Sequence, residues 1–469
     1  MDHGLTVADG RVYFLHYLNL DPRFIWIPGP VDAPPSSPDK ETPLSPARPA
    51  HPSATARPGR RALLAGGAAL TAGLLAGCSG GSRPTVTLYQ SKPEAIPFFR
   101  DLVGEANGAQ SAYRYIHDVA TNLSASFVRT SPPDIACQNY NLEMARFMER
   151  GALSDLSDMP EAATIREDVL ALADWYPGYE GRTSVIPYSV TAASVIYNKR
   201  IFADHGLEVP VTWDELLEVC RTLQDADVTP IYATLADTWT ITQGLFDYTV
   251  GGMVDVRSFY ETMNAQGTDI GPDSEVSFQR TLLEPMRRMV ELLQFLNPDA
   301  SSRAYGDGNT AMANGEAAMY FQGPWALAEI DKAGTDVELG TFPLPMTDSA
   351  EDLRIRVNID LSLWIPEEAD QPEGARELLT RFMEPAVQDE YNASFLAFGT
   401  TKDAPPVSDP RIAPMQEYYD RGAFTMGASQ FIPLTIPFEN YVQSIAFGAD
   451  PETVLRRIDS DWARLAYRQ

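Results

Sequence analysis

The side chains best equipped for chemistry in this sequence are planar amides, hydroxyls and aromatic rings that stand next to turn-forming residues. Gln90-Ser91-Lys92 and Gln138-Asn139-Tyr140-Asn141 each follow a short apolar run. Trp325 follows Gly323-Pro324, Trp239 lies in the run ADTWTITQG with Gln243, and Asp360 interrupts the apolar run VNIDLSLWI. Amides and hydroxyls can share hydrogen bonds with the rim of a polyhydroxylated molecule, and a ring can cover its C–H face. That is non-covalent capture. Nucleophilic or acid/base work would need a different set, and no pair of carboxylates falls in a recognisable catalytic motif. The 5 histidines show no ligand spacing, so no metal or other cofactor is expected.

Those groups must be carried by strand–loop–helix units. Val86–Tyr89 is β-rich, a polar loop follows, and Ile96, Phe99, Leu102 and Val103 keep helical spacing. A second unit has a strand over Asp134–Cys137, a loop through Asn141, and a helix carrying Leu142, Ala145, Phe147 and Met148 up to Gly151. Repeated units of this kind predict an α/β fold with parallel-core sheets and flanking helices. Ligands then collect at the carboxyl ends of the strands, where both polar loops fall. Local capping is the competing role for their Asn and Ser residues. Further along, Val190–Tyr197 reads as a long apolar strand, and Thr212 with Glu215 forms a capping box ahead of a helix from Trp213 to about Asp227.

The start of the chain has a separate organisation. Arg57 to Cys78 reads RPGRRALLAGGAALTAGLLAGC, a positive segment, an apolar stretch over 62–76 and a small-residue site. The stretch is shorter than the roughly 20 residues of a permanent membrane span. Leu75-Ala76-Gly77-Cys78 resembles the bacterial lipobox, which implies diacylation of the Cys78 thiol and cleavage before it. Arg60-Arg61 leaves Sec and twin-arginine export both open. Ser79-Gly80-Gly81-Ser82 then reads as a flexible tether. Residues 1–56 are expected to be a disordered or mis-annotated extension, rich in Pro, Ala and Ser.

Of 36 basic and 64 acidic residues, 7 and 6 lie in 1–77, leaving 29 against 58 from Cys78 onward. A surface so acidic argues against nucleic acid and against attraction to anionic headgroups. Cys137 and Cys220 read as buried thiols, with a disulfide between them left open. The remaining length exceeds one core, so two lobes are expected.

Three blocks carry a resemblance to a known family. The first runs VIPYSVTAASVIYNKRIF, with Pro187, Ser194-Val195-Ile196, Tyr197-Asn198 and Phe202 in its key places; it departs at Tyr188, where an aliphatic residue is usual. The second is NTAMANGEAAMYFQGPWALAEI, with Gly323-Pro324-Trp325, and the third is VNIDLSLWIPEEADQPEGARELLTRFMEPAVQDEYN. In this order they resemble the extracellular solute-binding proteins of ABC importers, specifically the sugar-binding group that includes maltose-binding protein. The resemblance implies a two-lobed fold with discontinuous lobes: 85–189 and 346–400 in lobe 1, 190–345 in lobe 2, and 401–469 a helical part mostly with lobe 2, after the signal peptide at 57–77 and a tether at 78–84. It implies a carbohydrate ligand, permease partners, a monomer anchored by lipid on the outer face of the membrane, and no catalysis.

The ligand-binding set that follows is Gln90, Ser91, Lys92, Gln138, Asn139, Asn141, Tyr188, Thr191, Trp239, Gln243, Gly323, Trp325 and Asp360. Trp325 matches the position that commonly stacks on ligand, with an ordinary core Trp as its alternative. Tyr188 and Thr191 flank the expected crossover between lobes. Asp360 needs a partner, either two ligand hydroxyls or an Arg. A secreted glycosidase, and a binding protein for a polyamine or peptide, are the rival readings.

Overall fold

The computed structural model describes residues 83–271, 274–334 and 336–467, together with a small antiparallel pairing of Val7–Ala8 with Arg11–Val12. The signal segment, the lipobox with Cys78 and the tether lie outside the described residues.

Within residues 83–467 the strands are β1 (Thr85–Tyr89), β2 (Arg114–Asp118), β3 (Ile135–Gln138), β4 (Ile186–Asn198), β5 (Thr229–Tyr232), β6 (Ala317–Gln322), β7 (Leu339–Phe342), β8 (Ile355–Trp364) and β9 (Phe424–Met426). They form one sheet in the order β2-β1-β3-β8-β4-β6-β5, with β9 beside β8 and β7 beside β4. The β1–β2, β1–β3 and β5–β6 pairs are parallel, as repeated βα units require. β4 and β8 run antiparallel to their principal neighbours, so the parallel core expected from the sequence is two parallel groups joined by antiparallel crossovers.

β4 is the joint. Its thirteen residues are buried throughout except Tyr197, which explains why they read as a continuous apolar run and not as an alternating one. Residues 186–193 pair with β8, and from Ser194 onward the same strand pairs with β6 and β7. The sequence-based lobe boundary at 189/190 falls inside this strand. β8 does the same work in reverse, meeting β3 at its end and β9 at its beginning.

The helices follow their sequence signals. Ile96–Ala106 buries Phe99, Leu102 and Val103. Leu142–Glu149 buries Met144, Ala145 and Met148, and the chain turns away at Gly151 with φ +69°. Trp213–Asp225 carries the capping box: Thr212 Oγ1 accepts from Glu215 N at 3.3 Å, and Glu215 Oε2 accepts from Thr212 N at 3.2 Å. Near the C-terminus, Pro451–Ala466 packs on Phe278–Leu292, and the buried Asp459 accepts from Phe278 N at 2.7 Å and Gln279 N at 3.1 Å. The two cysteines of this region are buried and free.

A buried ion pair holds the point where β4 changes partners. Arg356, opposite Ala193 in the ladder, donates from Nε to Asp247 Oδ2 at 2.9 Å, and both side chains are almost wholly buried. Asp247 also accepts from Ser429 N at 2.8 Å and Ser429 Oγ at 2.9 Å. Gly427 lies against the pair: a Cβ there would collide with Asp247 and come within 2.6 Å of Arg356 Nε. Burial pushes the Asp247 carboxyl up, while Arg356 and Ser429 pull it back.

Two stability outcomes follow. Arg356→Met strands a buried carboxylate and should cost roughly 3–5 kcal/mol in urea unfolding, whereas Asp247→Leu combined with Arg356→Met should recover most of that loss. A single variant within experimental error of the parent would remove the pair from the frame. Thr212→Ala, which deletes one cap, should cost about 1 kcal/mol.

Candidate binding site

The first polar group gathers around Asp360. Asp360 pairs with nothing in the β4–β8 ladder: Ile359 faces Val190 and Leu361 faces Ser189, so Asp360 is an extra residue on β8. One step later Ser362 faces Pro187, which leaves Tyr188 as an extra residue on β4. Two compensating bulges thus sit side by side, and each frees a backbone carbonyl that other side chains must satisfy. The Tyr188 carbonyl accepts from Gln388 Nε2 at 3.2 Å and Thr400 Oγ1 at 3.5 Å. The Asp360 carbonyl accepts from Asn139 Nδ2.

The Asp360 carboxylate accepts two bonds of 2.8 Å from Lys92 Nζ, and Ser189 Oγ and Tyr391 OH each reach its Oδ2 at 3.3 Å. Burial alone would lower the Lys92 pKa, but the carboxylates of Asp360 and Glu94 outweigh it and hold the ammonium above its ordinary value. Lys92 is therefore a cation at neutral pH. The partner expected for Asp360 was an Arg or two ligand hydroxyls; the structure supplies Lys92, itself one of the sequence-derived site residues.

Around this pair, Gln138 Nε2 donates to Ser91 Oγ at 3.4 Å, joining the loops after β1 and β3. Gln90 is fully buried and its carbonyl meets His117 Nε2 at 2.9 Å. Asn141 has a local task, since its Oδ1 accepts from Met144 N at 3.0 Å and caps the next helix. Tyr188 departs further from expectation: its ring is fully buried against Phe99 and Tyr391, so it belongs to the core and not to the cleft floor. Thr191, also buried, lies opposite Asn358.

The second group is aromatic and lies at the ends of β5 and β6. Trp325 occupies the first turn of helix Pro324–Lys332, directly after β6, and remains half-buried. Its ring folds over Gly323 so closely that a Cβ there would collide with it. Trp239 follows β5 and packs on Tyr305, ring centroids 4.9 Å apart. The helix that Tyr305 begins packs on the helix that carries Trp325. Gln243, half-buried, lies in a π-helical turn, Ile241–Phe246. Burial raises the Tyr305 phenol pKa, and the carboxylates of Glu329 and Glu94 raise it further.

Several neighbours were not anticipated: Ser189, Tyr305, Gln322, Tyr391 and the chain Tyr176–Gln430–Asn358. Tyr176 OH donates to Gln430 Oε1 at 2.9 Å, and Gln430 Nε2 donates to Asn358 Oδ1 at 2.5 Å. Tyr305 could have been suspected from the polar start of the NTAMANG helix. The others come together only through long-range pairing.

Residues 107–389 match the profile of a family described as bacterial extracellular solute-binding protein. An ABC transporter extracellular-binding protein of Pyrococcus horikoshii is 24% identical over 60% of this chain and 62% of its own length. A diacetylchitobiose binding protein of Streptomyces coelicolor is 22% identical over 63% of this chain and 64% of its own. The chain thus spans just under two thirds of the length of these relatives. Among solved structures, the apo form of RafE from Streptococcus pneumoniae superposes with a TM-score of 0.71 at 17% identity, covering 82% of this chain and 99% of that one. A chitin oligosaccharide binding protein gives 0.68 at 18% identity over 82% of this chain and 100% of that one. These likenesses support the two-lobed α/β fold, and with more than half of its residues matching the profile, the chain belongs to the bacterial extracellular solute-binding protein family.

Proposed function

We propose that this protein is the capture component of an ABC importer and binds a sugar or short oligosaccharide between the polar loops after β1 and β3 and the aromatic group after β5 and β6. One observation carries this reading: strand-end loops on one side of the crossover strands offer neutral amides and hydroxyls, while the other side offers half-buried rings. A sugar presents hydroxyls at its edge and C–H bonds on its faces, which is the complement of those two surfaces. Relatives named for sugars support it, among them a multiple sugar-binding protein of Streptococcus mutans, 27% identical over 182 residues. One RafE structure, TM-score 0.67, is described as a complex with raffinose.

Ligand touching both surfaces favours the closed arrangement over the open one, and the closed form is what a permease would accept. No bond is made or broken in that cycle. In this reading the protein acts as a monomer at the outer face of the membrane. A lipid on Cys78 keeps it beside the permease at high effective concentration. Among the described residues no helix is long and apolar enough to cross a membrane.

Thermal denaturation against raffinose, chito-oligosaccharides, malto-oligosaccharides, polyamines and peptides tests the ligand class. A sugar at about 100 times its Kd should add about 2.7 kcal/mol and raise the Tm by a few degrees. A shift with polyamines or peptides and none with sugars would replace the ligand, and release of shorter saccharides on incubation would make the protein a glycosidase. Trp325→Ala should weaken the sugar about 10-fold, in line with the worth of an aromatic contact; undiminished affinity would take Trp325 out of the site. For the anchor, labelled palmitate should enter the parent chain in a bacterial host and not the Cys78→Ala variant. Equal labelling of both would dismiss the lipid.

A further inference from the structure

The aromatic group is held by one amide that the family likeness does not single out. Gln322 ends β6, is 2% exposed, and faces Ser194 across the ladder. Its Oε1 accepts from Trp325 Nε1 at 3.2 Å, and its Nε2 donates to the Thr240 carbonyl at 3.4 Å. Thr240 directly follows Trp239, and its own hydroxyl donates to the carbonyls of Thr234 at 2.7 Å and Asp237 at 2.8 Å. A single planar group therefore spans the turn of Trp239 and the indole of Trp325.

Both ends of that span are rigid. The Trp325 ring lies on Gly323, where any side chain would collide with it. Beyond Thr240 the chain enters the π-helical turn, in which Gly244 lies so close to the Phe321 carbonyl that a Cβ would clash with it. π-turns of this kind recur at functional sites. An amide both accepts from an indole N–H and donates to a carbonyl without changing its protonation state. Met would leave the indole N–H unmatched. Glu could replace both bonds only in its protonated form.

We propose that Gln322 is a positioning residue for ligand recognition: without contacting ligand, it sets the plane of Trp325 and its offset from the Trp239–Tyr305 pair, and so selects which sugar face can lie on the ring. This rests on the reading of Trp325 as a ligand-stacking residue. The spacing between two stacking surfaces is a specificity determinant, because a ring displaced from a C–H face loses contact area before it loses any hydrogen bond.

The experiment separates the two claims. The chain has 7 tryptophans, so the protein is labelled with 5-fluorotryptophan and the Trp325 and Trp239 resonances are assigned with Trp325→Phe and Trp239→Phe. In ligand-free protein, Gln322→Met should shift and broaden both resonances and leave the remaining tryptophan resonances in place. Should Gln322→Met not fold, Gln322→Leu serves: it also lacks both bonds, so the Trp325 and Trp239 resonances should again both move. Unmoved resonances in the variant that folds would overturn the proposal. For binding, Gln322→Met should weaken the best sugar of the panel about 10-fold in the parent and leave affinity unchanged in a Trp325→Ala background. Equal losses in both backgrounds would mean that Gln322 acts independently of Trp325, which also overturns it. If the parent binds no sugar, the proposed function fails, while the fluorine spectra still decide whether Gln322 holds the rings.

Discussion

The architecture depends on one strand changing partners. β4 lies beside β8 up to Ala193 and between β6 and β7 from Ser194, so a single extended segment belongs to both halves of the molecule. A backbone in that position must keep its hydrogen bonds on both sides of the change, since unpaired buried amides are costly. The Asp247–Arg356 pair sits at that place and ties three separate segments: the helix at 247–251, β8, and the turn at Ser429. Its Coulombic attraction must offset the desolvation of both charges, which is why the serine bonds matter.

From this frame the two recognition surfaces acquire different characters. The polar one is a network in which each charge already has a partner. Lys92 lies between the carboxylates of Asp360 and Glu94, and Ser189, Asn139 and Tyr391 bond to the Asp360 oxygens. It therefore presents N–H and O–H dipoles around one cation and two carboxylates. The aromatic surface is set by packing: Gly323 under one ring, Tyr305 against another, and helix N-termini just beyond both strands.

Much of this was legible in the residues before any coordinates. Local signals worked where one interaction determines the outcome: Thr212 and Glu215 cap one another, and Gly323-Pro324 ends a strand and starts a helix. The loops after β1 and β3 were placed correctly because a βα unit forces them to the strand ends. Partner identity was not legible. Lys92 and Asp360 are 268 residues apart, and nothing local to either indicates the other. Tyr188 was misplaced for a related reason: its position beside the crossover suggested the cleft floor, but the strand is buried on both faces there and the ring packs on Phe99 and Tyr391. Asn141 carried two plausible roles in sequence, and its Oδ1 performs the capping one, accepting from Met144 N.

The paired bulges at Tyr188 and Asp360 bear on how such a site can arise or disappear in descent. Because each is an extra residue, losing Asp360 alone would close one bulge and keep Ile359 on Val190 and Leu361 on Ser189, and losing Tyr188 alone would close the other and keep Ser362 on Pro187. Losing both restores an uninterrupted ladder with every other pairing preserved. The two positions, far apart in the gene, are therefore free to be lost one at a time. A lineage that discards the carboxylate by deletion keeps the rest of the ladder and gives up only the partner of Lys92.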